Sequence, residues 1–183
     1  RFLCYLASSL SNGAPVSARA DLIPRHSGVQ PQPFPIPYTI DFKRNLDANV
    51  QTFTVVILGP DYKGLLLEAL MPNSNIALGK WQTPPPNTKY LKCSGNEQDA
   101  ITHSNTQIKN NSTTYSWIPP SPMPPAIQFM ATVAQSRIVY WLNVKSRVIT
   151  TVTSSPENTG TICSADNLII IFIALLLNFL SYI

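Results

Sequence analysis

The sequence predicts an all-β fold, a sandwich of two antiparallel sheets, and three observations carry that prediction. First, residues 126–145, AIQFMATVAQSRIVYWLNVK, hold two apolar runs of period two around a short polar break at Gln135, Ser136 and Arg137. Ile127, Phe129, Ala131 and Val133 fall on one side of the first run; Ile138, Tyr140, Leu142 and Val144 fall on one side of the second. Successive side chains of a strand point to opposite faces, so each set shares a face. The break is short enough for a hairpin, although it lacks the Gly or Asn of the strongest turns. Second, short runs rich in Thr, Val, Ile and aromatics are separated by turn chemistry about every ten residues. Third, no segment between the termini keeps a sustained helical apolar period. An antiparallel pair needs a second apolar layer to cover its face, and the remaining strands supply one.

Composition agrees. The chain has 183 residues, 17 of them proline, and only 12% are charged. That length suits one domain with terminal extensions, and that balance suits a loop-rich extracellular β domain. The 13 Lys and Arg are scattered and the net charge is +4, so the charge reads as solvated surface and no nucleic-acid partner is expected.

Residues 1–9 start at Arg1, and Phe2 to Ala7 ahead of Ser8 and Ser9 read as the remnant of a signal-peptide apolar region, with an irregular segment as the alternative. Residues 12–29 are rich in turn formers, and residues 30–37 add four prolines. Proline fixes φ and removes a donor, which excludes a central strand. The stretch is expected to be an extended arm along the domain, anchored by Phe34, Ile36 and Tyr38.

Strands are expected at residues 38–42, 50–58, 63–71, 76–82, 88–92, 100–104 and 112–118, ahead of the hairpin. In 50–58, Thr52, Thr54 and Val56 alternate with Phe53, Val55 and Ile57. Residues 63–71 are more continuously apolar, with Leu65, Leu66 and Leu67 together, as in a central strand covered on both faces. Helix formers make a helix the rival there, but Gly59 and Pro60 before it and Pro72, Asn73 and Ser74 after it limit the run to strand length. Pro84, Pro85 and Pro86 separate the weaker strands at 76–82 and 88–92.

These residues carry a resemblance. NGAPVSA at 12–18, PRH at 24–26, PYTI at 37–40, YKGLLLEA at 62–69, CSG at 93–95, ITHS at 101–104 and ATVAQS at 131–136 with Tyr140 and Trp141 resemble, in order, the reeler domain. That domain stands at the amino terminus of reelin and of ferric-chelate reductase-type membrane proteins, and forms small secreted insect defence proteins. No single motif is specific; the ordered set, spanning about residues 12–145, is. The resemblance implies an Ig-like β-sandwich over residues 10–146.

One departure concerns cysteine. Family members usually carry a cysteine directly after the Val-Ser-Ala segment, where this chain has Arg19, and its usual partner corresponds to Cys93. If Cys4 leaves with a signal peptide and Cys163 with a carboxy-terminal propeptide, Cys93 is an unpaired cysteine. Loss of a native bridge costs a small secreted domain about 2–5 kcal/mol, so this chain is expected to be less stable than its relatives.

Asn110 and Asn111 are overlapping acceptors for N-glycosylation, as Asn-Asn-Ser and Asn-Ser-Thr, and only one of the two is expected to be occupied. Catalysis finds no constellation: there is no Gly-x-Ser-x-Gly elbow, no phosphate-cradling glycine loop, and no Cys or His spacing for a metal. His26 and His103 read as structural or solvent-facing, and Trp81, Trp117 and Trp141 as core or sheet-face residues. No enzyme activity, cofactor or metal site is expected.

The carboxy terminus carries a targeting signal. Residues 147–166 read as a polar stalk and 167–183 as a hydrophobic membrane segment, with LIIIFIALLL at 168–177 and no charge after Asp166. A spanning helix needs about 20 apolar residues, with about 17 as the lower limit, and no Lys or Arg follows to anchor a cytoplasmic side. A glycosylphosphatidylinositol signal fits as well, with Asn158 as the lipid-anchor candidate and Ser164, Ala165 and Asp166 as a rival site. A spanning helix, the lipid anchor and a core helix remain open. Two function classes follow. One is a recognition module on the extracellular side of the plasma membrane, reached through the secretory pathway, that binds a protein, glycan or microbial surface through its loops. The other is a shortened accessory domain of a ferric-chelate reductase-like protein.

Overall fold

The computed structural model describes residues 11–24, 28–47, 50–91 and 97–151, with the main chain alone at residues 19 and 20. Among the described residues, ten strands form two antiparallel sheets. In the first, β1 (Thr39–Asp47), β2 (Val50–Leu58), β7 (Thr114–Ile118) and β4 (Lys80–Trp81) lie side by side in that order. β2 alternates as expected: Phe53, Val55 and Ile57 are buried while Thr52, Thr54 and Val56 are half-buried. β1 continues past Phe42 to Asp47, five residues beyond the sequence expectation. Its polar end lacks an apolar stripe because it is exposed; cross-strand pairs hold it instead, Arg44 Nη2 donating to Gln51 Oε1 at 2.7 Å and Asn45 Nδ2 to Thr54 Oγ1 at 2.8 Å.

The second sheet centres on β3 (Gly64–Leu70), which pairs with β6 (Ala100–His103) on one side and β8 (Ala126–Ala134) on the other. β5 (Thr88–Leu91) continues beyond β6, and both β9 (Tyr140–Lys145) and β10 (Ile149–Thr150) pair with β8. Six of the seven β3 residues are buried, which accounts for its unbroken apolar run. Leu65, Leu67 and Ala69 face the first sheet; Leu66 packs in a separate cluster on the outer face.

The hairpin of β8 and β9 forms, but its second half departs from simple alternation. Ile127, Phe129, Ala131 and Val133 are all fully buried, whereas Ile138 is exposed in the connecting loop. Between Ala131–Val144 and Val133–Trp141 the register shifts, and Asn143 takes φ 58°. This bulge lets Trp141 and Val144, three positions apart, both enter the core, while Tyr140, opposite Ala134, is buried on the other face with its hydroxyl donating to the Val29 carbonyl at 3.0 Å. Beyond Lys145, Phe129 N donates to Ser146 Oγ at 3.0 Å and β10 rejoins β8, so residues 149 and 150, expected in the stalk, belong to the sheet.

Between the sheets sits an aromatic cluster. The Phe129 ring lies 5.3 Å from Trp117, 5.7 Å from Phe42, 5.9 Å from Trp81 and 6.2 Å from Phe53, mostly edge to face. All three tryptophans are buried. Of the expected strand at 76–82 only Lys80 and Trp81 form one: Gly79 takes φ +67°, and a Cβ there would collide with the Ile118 carbonyl and the Trp117 indole. The proline arm is anchored by Ile36 and Tyr38, but Phe34 is 85% exposed and anchors nothing. Gln32 N donates to the Tyr140 carbonyl at 2.8 Å, which holds that stretch against β9.

A candidate ligand cleft under the amino-terminal arm

The outer face of the second sheet is covered by the chain's own amino-terminal arm. Pro15 leads into a 3-10 helix, Val16–Ala20, whose turn is closed by Ala18 N donating to the Pro15 carbonyl at 2.9 Å. Proline suits that entry because its φ is already near the helical value and no donor is lost. Ala18 and Leu22 are buried against Leu66, Leu91 and Ala100, with Ala14 and Met130 at the margin. Two threonines, one on each strand flanking β3, fasten the arm. Ala14 N donates to Thr102 Oγ1 at 2.9 Å, Thr102 Oγ1 donates to the Leu65 carbonyl at 2.8 Å, and Thr132 Oγ1 donates to the Leu22 carbonyl.

Arm and sheet do not close completely. Between them lies a cleft of about 360 Å³, within the size range of small-molecule sites. Ala14, Pro15, Ala18, Leu22, Leu66 and Ala134 form its apolar walls, and Lys63, His103, Thr106, Ser136 and Arg137 stand around its mouth. Gly13 bounds it at φ +133°; a Cβ there would lie 2.7 Å from Lys89 Cε and 3.0 Å from the His103 carbonyl. Among the described residues no carboxylate lines the cleft.

The mouth is held from beneath by Lys109, a residue with no signature in the sequence. Lys109 is 2% exposed, and its Nζ donates to the carbonyls of Lys63 at 2.8 Å, Gln107 at 2.9 Å and Asn105 at 3.4 Å. Desolvation pushes the ammonium pKa down from 10.5 to about 8. One buried amine thus ties the start of β3 to the turn that carries Thr106. His103 sits at the end of β6, with Nδ1 3.2 Å from the Leu65 carbonyl and 3.3 Å from Leu65 N.

Asn110 and Asn111 occupy an exposed turn ahead of β7. Asn110 Oδ1 accepts from Ser112 N at 3.0 Å and from Ser112 Oγ at 2.7 Å, while Asn111 Oδ1 accepts from Gly59 N at 3.0 Å. Arg19 lies on the 3-10 helix. Cys4, Cys93, Cys163, His26, the anchor candidate Asn158, the residues of the signal segment and those of the hydrophobic tail lie outside the described residues. Among the described residues no group of three or more His, Cys, Asp and Glu could hold a metal ion, and no helix is long and apolar enough to cross a membrane. Sequence reasoning placed function in the loops; the cleft depends on an arm and a sheet face far apart in sequence, and the cue available was only the unusual apolarity of β3 on both faces.

Known proteins share this architecture. The chain is 34% identical over 143 residues to "Defense protein l(2)34Fc" of Drosophila melanogaster, covering 76% of this chain and 87% of that one. It is 29% identical over 159 residues to ferric-chelate reductase 1 of Mus musculus, covering 85% of this chain but 26% of the reductase. The crystal structure of the human F-spondin reeler domain superposes with a TM-score of 0.51 at 13% identity, covering 68% of this chain and 94% of that domain. At that identity the likeness speaks for the fold: a β-sandwich in both. The Reeler domain family model matches residues 17–157, which takes in both sheets, the arm from residue 17 onward and the strand that follows the hairpin, and the chain belongs to the Reeler domain family.

Proposed function

We propose that this chain is an extracellular, membrane-attached recognition module acting in host defence or at the cell surface, and that its ligand enters the cleft beneath the amino-terminal arm. The observation that carries this reading is the cleft itself. It joins apolar walls to a polar mouth, it is pre-formed by Thr102, Thr132 and Lys109, and it has the volume of a small-molecule site. Similarity to a protein named as a defense protein supports the host-defence version. The apolar run at residues 168–177 supports attachment to a membrane. A panel of glycans and microbial envelopes, screened against the native chain and Ala134→Phe, tests the site. Binding that disappears in the variant while its melting curve persists is expected; binding indifferent to the substitution overturns the cleft as the site. Release from cells by phospholipase distinguishes a lipid anchor at Asn158 from a spanning helix.

A second reading, an accessory domain of a ferric-chelate reductase-like protein, draws on the match to the mouse reductase over 85% of this chain. It predicts haem absorbance in material purified with its natural membrane partners; a spectrum without a Soret band rejects it.

A further inference from the structure

We infer that the cleft takes a single-tailed amphiphile with an anionic head, of the class of a medium-chain fatty acid carboxylate. The inference rests on the reading that the cleft is the binding site, and it names the chemistry of the occupant.

Three observations point to this class. The walls are apolar, and the polar side chains beneath and behind them are already engaged. Thr102 and Thr132 hold the arm, and the Lys109 ammonium holds three carbonyls. A polyol entering the deeper part would lose its hydration without replacement, whereas an alkyl chain gains by leaving water. The volume, about 360 Å³, suits one alkyl chain rather than a bulky polycyclic ligand or a folded partner.

The third observation is charge. Lys63 and Arg137 stand exposed at the mouth, from the start of β3 and from the loop between β8 and β9. Among the described residues neither has an ion-pair partner, and no carboxylate lines the cleft. An anion at the mouth meets two cations free to turn toward it, and Arg can present a bidentate fork to a carboxylate. A cationic head would meet repulsion in the same place.

The test uses the full chain and calorimetric titration with hexanoate, octanoate, decanoate, decanol and decyltrimethylammonium. Affinity is expected to rise about fourfold with each added methylene until the cleft is full. Decanoate is expected to bind more tightly than decanol, and decyltrimethylammonium more weakly than either. The double charge reversal Lys63→Glu with Arg137→Glu should weaken decanoate by about tenfold and leave decanol unchanged. Ala134→Phe, which fills the wall, should abolish binding of both; Ser136→Trp, at an exposed loop position, blocks the mouth without loading the core should the first variant fold poorly. Absence of decanoate binding, a flat chain-length series, or equal affinity for the anionic and cationic heads overturns the inference. The two readings fail separately: glycan or envelope binding lost in Ala134→Phe, together with no decanoate binding, retires the amphiphile and keeps the cleft, whereas glycan or envelope binding indifferent to Ala134→Phe retires the cleft.

Discussion

Tyr62 and Tyr115 bring their hydroxyl oxygens within 2.9 Å of each other in the interior, joining the segment that enters β3 to β7 of the opposite sheet. Burial pushes the Tyr62 pKa up from 10 to about 12, partly offset by the hydrogen bond from Tyr115; burial and the Tyr62 hydroxyl push Tyr115 up as well. The unfolded chain therefore releases these protons at lower pH than the folded one. The associated stability is fully present below pH 10 and falls as pH rises from 10 towards about 12. Denaturant midpoints measured across that window should decline, and Tyr62→Phe with Tyr115→Phe should flatten the decline. At neutral pH each single substitution should cost about 1–2 kcal/mol by leaving the other hydroxyl unmatched, and the double should cost less than the sum.

Lys109 gives the opposite sign. Its folded pKa of about 8 lies below the ordinary 10.5, so between those values the unfolded chain retains a proton that the folded chain has released. Stability should rise with pH from 8 upwards, and fall again as pH drops back through 8. Lys109→Met should remove the rise. Chemical denaturation of both proteins between pH 7 and pH 9.5, below the tyrosine window, reads the difference; parallel profiles would refute the assignment.

Gly79 should not tolerate a side chain. Its left-handed φ of +67° carries a penalty for any L-residue, and the Cβ meets both the Ile118 carbonyl and the Trp117 indole. Gly79→Ala is expected to destabilise by at least about 2 kcal/mol, a lower melting temperature being the readout. By contrast, Gly28→Ala meets no neighbouring atom and should cost only the backbone penalty at φ +71°, about 1 kcal/mol.

Arg19→Cys offers a test of the missing bridge. The 3-10 helix places residue 19 between buried Ala18 and Leu22 on the outer face of the second sheet, and Cys93 follows Leu91 of β5, whose side chain packs in the same cluster. A disulfide between residues 19 and 93 should form on oxidative folding and add about 2–5 kcal/mol. Peptide mapping that finds both thiols free would reject the pairing.

Much of the fold was legible because strand chemistry is local. Phe53, Val55 and Ile57 in β2, and Ile127, Phe129, Ala131 and Val133 in β8, alternate with a period that only a half-buried strand demands. The unbroken Leu65, Leu66, Leu67 run announced two covered faces before either cover was known. Where reading failed, a non-local contact had overridden the pattern. The bulge at Asn143 brought Trp141 and Val144 to the core face and left Tyr140 on the other, and Ile138 fell in the loop, so Ile138, Tyr140, Leu142 and Val144 do not share a face. The polar end of β1 became a strand because β2 was there to pair with it, not because its own side chains required burial.

By itself, then, the sequence determined the class of fold, the position of most strands and the family, since each rests on side-chain periodicity or on short ordered motifs. Which chain segment covers the outer face of β3 was decided only in three dimensions. Ala14 reaches Thr102 across 88 positions and Leu22 reaches Thr132 across 110, separations that no periodic pattern encodes. The cleft exists because those two hydrogen bonds and the buried Lys109 ammonium hold arm, sheet and turn at a distance that packing leaves unfilled. Its walls are apolar for the same reason the core is, removal from water, and its mouth is cationic because Lys63 and Arg137 come from elements that only the paired sheet brings together.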